Sequence, residues 1–435
     1  MQIVLRELRL TLALALPMIV AQVSQMLIGI TDAAMIGRVG TVELAASAFT
    51  GGVFGLFYIL GIGLLLPVGV FTARDHGAGD AAGCAAWLQH GKAMALTAGV
   101  GCFVLLAVLS TQLHRFGQPP EVVAVVRPYF LLCSLSLIPV FYFQVQRQYL
   151  DALGRPWVGT AIMLVDVALN ALFNWVLIWG HWGAPALGLT GAGLATFIVR
   201  VLAVGVIAFW LRAEPRAAGR LERGRFREML NMGVPAAGSL LFESGAFAAA
   251  MLMMGWLGAT ALAAHQIALS CAAFTFMFPL GLSMATSIRI SKALGGGRRD
   301  ALQAIGFGSL GCSSVIMLGF AAVFALGGTG LARAFTPDAA VIALAAQLLV
   351  VAAIFQLFDG GQVVAAGALR GLTDVKVPTL ITFVAYWLVS LPVAYGLAFH
   401  TRMGAVGIWA GLATGLACAA VLLAGRFRRL TGRVG

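Results

Sequence analysis

Apolar runs long enough to cross a bilayer alternate with short polar connections along the whole chain. Their approximate limits are 10–36, 46–72, 88–112, 124–147, 157–180, 188–212, 230–257, 262–289, 302–327, 340–368, 377–399 and 404–426. Each meets the ~20 residues that a ~30 Å hydrocarbon core requires, with some tilt. The pattern predicts an all-α integral membrane protein of twelve transmembrane helices. Pro17, Pro67, Pro139, Pro235, Pro279 and Pro392 lie inside runs. Neighbouring helices re-satisfy the backbone groups a proline frees in a membrane, and such helices bend there.

The pattern also repeats. With Pro17 set against Pro235, a shift of 218 residues, LPMIVAQVSQMLIGITDAAMIGRVGTVELAAS falls on VPAAGSLLFESGAFAAAMLMMGWLGATALAAHQ. Met35 then meets Met253, Gly37 meets Gly255, Gly40 meets Gly258 and Leu44 meets Leu262. Further along, GAGLAT at 191–196 returns as AGLATG at 410–415, and PEVVAVV at 120–126 resembles PDAAVIA at 337–343. The longest polar connection, RAEPRAAGRLERGRFRE at 212–228, separates six spans from six. The expected organisation is an N-terminal six-helix bundle at 1–212, a basic cytoplasmic linker at 213–229 and a C-terminal six-helix bundle at 230–435. Each half starts and ends on the same side, so the halves are expected to be related by a pseudo-two-fold axis along the membrane normal, with a substrate cleft between them.

Composition changes the picture little. The chain is 61% hydrophobic and 10% charged, with a mean hydropathy of +0.97, where a soluble domain carries about a quarter charged residues. The net charge of +12 would suit a nucleic-acid partner, but its placement does not. With the N-terminus inside, 22 Lys and Arg fall in inner segments and 5 in outer ones. They are spread over every inner loop and make no single patch. The asymmetry places both termini in the cytoplasm. The first run follows Arg6 and Arg9, lacks a cleavage site and exceeds signal-peptide length, so it reads as a retained helix. The six cysteines form no CxxC pair and read as small packing residues.

Four acids lie within the spans: Asp32, Asp166, Glu243 and Asp359. A charge at such depth costs at least ~2.5–3.5 kcal/mol on insertion scales. Arg200 is the one basic residue deep in a span, so about three acids lack a counter-charge. Such acids must be protonated, bind a cation or face water, and all three outcomes suit a cation-coupled carrier. Asp32 and Glu243 lie on the opening helix of each repeat and are expected to line the cleft. Asp166, Asn170 and Asn174, spaced i, i+4, i+8, form a polar stripe of hard oxygen ligands suited to Na⁺ or a proton, or else an interhelical hydrogen-bond seam. Phe355 precedes Asp359 by four residues and Phe247 follows Glu243 by four. Each sets an aromatic face beside a carboxylate, as a cradle for a lipophilic cation or as plain packing. Glu243 and Asp359 are expected to share a cation, with Phe355 alongside. Counted at 1.5 Å per residue, Arg200 lies ~18 Å and Asp166 ~13–14 Å from the cytoplasmic ends of adjacent spans. Arg200 is therefore expected to pair with Asp166 or, failing that, with polar groups or water inside the first bundle.

Enzymatic signatures are lacking. GGGRRD at 295–300 follows no strand and precedes no GK[ST], so it reads as a turn. His265 has no second His or Cys at ligand spacing. No serine has a matching His–Asp pair, and neither DDxxD nor HxxxxD occurs.

Seven stretches carry a resemblance: GITDAAMIGRVG around Asp32, GIGLLLPVGVFTARDHGAGD at 61–80, NALFNWVLIWG at 170–180, LLFESGAF around Glu243, LAAHQIAL at 262–269, FMFPLGLSMATSIRISKALG at 276–295, and FDGGQVVAAGALRGLTDVKVP around Asp359. Together they resemble the MATE (multidrug and toxic compound extrusion) family, in its NorM-type bacterial branch, over essentially the whole chain. The family's acids in spans 1, 7 and 10 match Asp32, Glu243 and Asp359. The resemblance implies a V-shaped pair of six-helix bundles. It implies a secondary active antiporter of the bacterial inner membrane, exporting cationic, lipophilic drugs and dyes in exchange for Na⁺ or H⁺ by alternating access. It implies a monomer with no cofactor beyond the coupling ion, and no metal beyond a Na⁺ at Glu243 and Asp359. Relatives often carry Tyr at the position of Phe355, so the hydroxyl is lost here. Asn174 is Asp in the archaeal branch, which counts against a proton switch of that kind at Asn170 and Asn174. The alternative is a flippase for a lipid-linked precursor. It would want several cationic residues in the cavity, where this chain offers four acids and one arginine.

Overall fold

The computed structural model describes residues 2–117, 119–214 and 220–432. Arg216, Arg433 and positions 215–219 of the linker lie outside the described residues. Among the described residues twelve helices are long and apolar enough to cross a membrane: α1 Ile3–Ile36, α2 Thr41–Gly77, α3 Ala81–Ser110, α4 Pro120–Ala152, α5 Pro156–Trp179, α6 Gly188–Ala213, α7 Arg223–Trp256, α8 Ala259–Gly295, α9 Ala301–Arg333, α10 Ala339–Gly371, α11 Lys376–Phe399 and α12 Gly404–Gly432.

Three of these helices are interrupted, each for a local reason. In α2 the helix stops at Leu65 and restarts at Pro67, where proline is tolerated because a first-turn N–H is unpaired anyway. In α4 the break falls at Ser136, whose hydroxyl donates back to the Cys133 carbonyl at 2.6 Å. Such back-bonding bends helices. In α11 the residues Val384–Ser390 form a wider π-helical turn. Pro392 lies just beyond it, and a proline ring crowds the carbonyl four residues back, here that of Leu388.

The loops after α4 and α10 turn the same corner with different residues. Gly154 adopts φ 82° and Thr373 adopts φ 61°. A β-branched residue in the left-handed region is strained. Thr373 is exposed. Thr373→Gly is therefore expected to raise stability by about 0.5–1 kcal/mol, the relief of left-handed strain less the entropy cost of glycine. Thermal unfolding in detergent reads this directly, and a lowered midpoint would refute it.

Grouped by contact, Val23–Ala237 form one compact unit, and Met1–Gln22 join Gly238–Gly435 in the other. The divisions fall inside α1 and α7, not at the polar connection between α6 and α7. Within the first unit, the early part of α7 lies on α2. A Cβ on Gly63 would stand 2.4 Å from the Ala237 Cα, so only glycine permits that approach. Arg74 at the end of α2 reaches Glu228 on α7 at 3.5 Å. Within the second unit, the early part of α1 lies on α8. A Cβ on Gly281 would stand 2.7 Å from the Ile19 nitrogen, and Glu7 accepts hydrogen bonds from Arg289 and Arg298. At the 218-residue shift Gly63 becomes Gly281 and Ile19 becomes Ala237. Each repeat thus lends the start of its opening helix to the second helix of the other repeat.

Candidate functional site

In the unit holding 238–435, three helices converge on one acid pair. On α10, Phe355, Asp359 and Gln362 follow at intervals of four and three and so share a helix face. Glu243 on α7 accepts two hydrogen bonds at Oε1, from Gln362 Nε2 at 2.9 Å and from the Tyr386 hydroxyl at 3.1 Å. Asp359 is 4% exposed and interacts electrostatically with Glu243 and Tyr386. Among the described residues it makes no ion pair. Two carboxylates in one buried place repel as bare anions, and such a pair favours a shared proton or cation. The walls are aromatic. Phe247 lies 6.1 Å from Phe355 and 6.3 Å from Tyr386, and Phe355 lies 5.3 Å from Trp409.

Gln362 and Tyr386 were not singled out by the sequence. Gln362 stands three residues after Asp359, and that helical spacing was the available signal. Tyr386 left none, since α11 reads only as an apolar run. Its position within the π-helical turn belongs to the structure. A phenol hydroxyl thus reaches Glu243 from α11.

In the unit Val23–Ala237 a second cluster forms around Asp32. Asn174 Nδ2 donates to Asp32 Oδ1 at 2.6 Å and to Asn170 Oδ1 at 3.2 Å. Thr196 on α6 stands beside Asp32. Both asparagines are fully buried, and Asn174 Oδ1 has no partner among the described residues. A buried amide oxygen left unpaired costs stability, and it is a hard ligand of the kind Na⁺ or another hard cation takes.

Asp166, the third member of the expected stripe, does not join this cluster. The expected Arg200–Asp166 ion pair is also not formed. Arg200 donates to the Ser136 hydroxyl at the break in α4, and its guanidinium lies 5.1 Å from the centre of the Phe54 ring. The polar partner inside the first repeat, the second choice from the sequence, is the one observed. Asp166 feels the Arg200 charge without a hydrogen bond to it. Asp166→Asn should accordingly cost no stability, since it breaks no hydrogen bond and removes a charge from the span. A clear loss in thermal unfolding would show a partner that this geometry lacks. Among the described residues no group of three His, Cys, Asp or Glu is arranged to hold a metal ion.

The chain matches the family model described as MatE over residues 17–176 and 235–396. A probable multidrug resistance protein NorM of Pseudomonas putida is 38% identical, covering 99% of this chain and 96% of its own. The protein of the same name in Mesorhizobium japonicum is 37% identical, covering 98% and 94%. A solved structure described as the outward-facing conformation of a multidrug resistance MATE family transporter of the MOP superfamily shares the fold, with a TM-score of 0.91 at 20% identity, covering 98% of this chain and 96% of that one.

Proposed function

The chain belongs to the MATE family, a family of multi-pass membrane transporters rather than enzymes, and from that premise we propose that it is a secondary active multidrug exporter. It expels cationic, lipophilic drugs and dyes in exchange for Na⁺ or H⁺. It works in the bacterial inner membrane with both termini in the cytoplasm. The observation that supports this most is the pairing of Glu243 with Asp359 inside an aromatic enclosure. Acids attract the cation, and aromatic faces suit the lipophilic body of a drug. The pair binds coupling ion and drug at different stages of the cycle, so that one displaces the other. Asp32 with Asn170 and Asn174 forms a second cation site in the other unit, where the unpaired Asn174 oxygen completes the ligand set.

The test is ethidium efflux from proteoliposomes under an imposed Na⁺ gradient and, separately, an imposed pH gradient. Efflux should follow one of the two and cease when it is collapsed. Efflux indifferent to both would overturn antiport.

A further inference from the structure

His265 on α8 has no exposed surface. Its Nδ1 accepts a hydrogen bond from Trp409 Nε1 at 3.1 Å. An indole N–H only donates, so Nδ1 carries the lone pair and the ring's proton sits on Nε2. That Nε2 is buried without a partner among the described residues. An unpaired buried donor destabilises, whereas an apolar residue of similar size would fill the space without that penalty. As packing, histidine is a poor choice at this position. What it contributes is an acceptor for the Trp409 indole.

Trp409 is itself fully buried. Its ring meets Phe355 edge-on at an interplanar angle of 62°. Phe355 lies one helical turn before Asp359. Phe355 also meets Phe247, and Phe247 meets Tyr386, whose hydroxyl donates to Glu243. A line of packed rings therefore runs from the imidazole to both acids. A buried indole deprived of its acceptor must shift to find another, and Phe355 would follow it. Among the described residues the first repeat shows no such device at the matching position. At the 218-residue shift His265 falls on Ser47, which among the described residues donates to the Leu44 carbonyl of its own helix.

We propose that His265 is a positioning residue for the Glu243–Asp359 site: by accepting the Trp409 indole N–H it sets the ring that holds Phe355 beside Asp359, and so tunes cation affinity without touching the cation. The proposal rests on reading that acid pair as the coupling site. It makes cation affinity in the second repeat adjustable from a residue that never meets the ion.

The test uses full-length protein in proteoliposomes, with the coupling-ion concentration for half-maximal ethidium efflux and the thermal midpoint as readouts. His265→Leu should raise the half-maximal concentration about tenfold, at the low end of what removing a ligand-orienting residue does, with little change in thermal midpoint. His265→Asn, whose amide oxygen can accept the indole N–H, should restore most of the affinity. Trp409→Phe keeps a ring and loses the donor. Its effect and that of His265→Leu should not add, since both delete one bond. Wild-type half-saturation in His265→Leu, no advantage of Asn over Leu, or strict additivity would each overturn the proposal. If His265→Leu does not fold, Trp409→Phe decides alone, and an unchanged cation dependence there overturns it. Should Glu243→Gln and Asp359→Asn both leave gradient-driven efflux intact, the reading of the site falls and the proposal with it. Loss in those two beside an indifferent His265→Leu overturns the positioning role only.

Discussion

Glu243→Gln and Asp359→Asn will each abolish gradient-driven efflux while the protein still folds and inserts. A unit cation about 4 Å from a carboxylate gains about 4 kcal/mol at an effective dielectric of about 20, roughly a thousandfold in affinity. Removing one charge removes that attraction and, with it, the means by which ion and drug displace each other. The fold should tolerate both changes for different reasons. Glu243 uses Oε1 to accept from Gln362 and Tyr386, and a glutamine carbonyl accepts both bonds unchanged. Asp359 has no ion pair to lose among the described residues, and its amide replacement is almost isosteric. Dye efflux after an imposed gradient, set against the yield and thermal midpoint of purified protein, separates the two quantities. Efflux within tenfold of wild type in either variant would remove that carboxylate from the coupling site.

Glu7→Ala is expected to be the most destabilising single change, at about 3 kcal/mol. Glu7 is 1% exposed and accepts from Arg289 with one oxygen and Arg298 with the other. The Arg289 side chain is only 15% exposed, and its Nε is buried without a partner among the described residues. Deleting the acid leaves that guanidinium charged and unpaired, and an uncompensated buried charge costs more than the pair contributed. Replacing Glu7 and Arg289 together by leucine should recover most of the loss, because both desolvated partners then disappear. The corresponding contact in the other unit, Arg74 with Glu228, has side chains 33% and 45% exposed, so Glu228→Ala should cost under ~1 kcal/mol. Thermal unfolding of the three variants in one detergent tests the contrast. Equal losses for Glu7→Ala and Glu228→Ala would show that burial does not set the difference.

The polar stripe on α5 divides in the structure. Asn170 and Asn174 meet Asp32 as helical spacing allows, yet Asp166 does not. Four residues turn a helix 40° past a full circle. Across the eight residues from Asp166 to Asn174 the stripe drifts by about 80°, enough to carry its first member off the common face. Arg200 failed in a related way. Counting residues places a side chain in depth but not around the helix. The hydroxyl it found is at Ser136, where α4 breaks, and no apolar pattern marks that break. Tyr386 was hidden for a similar reason, since a π-helical turn changes which residues of α11 face inward and leaves mean hydropathy untouched.

Twelve spans and four embedded acids were legible because lipid imposes them in one dimension. A helix must be long enough to cross, its charges must sit inside or beside the membrane, and an acid at depth has few innocent explanations. Which helix faces pack together was not legible. Lipid tails are as apolar as a packed leucine, so an apolar residue carries no sign of whether it meets lipid or protein. The exchange of opening helices between repeats, through Ile19 on Gly281 and Ala237 on Gly63, rests on glycines that let backbones approach. The meeting of Glu243, Asp359, Gln362 and Tyr386 likewise depends on how three separate helices are turned about their axes. Only tertiary packing sets those rotations, because in a bilayer the contacts that fix them are made by shape and hydrogen bonding and not by hydrophobicity.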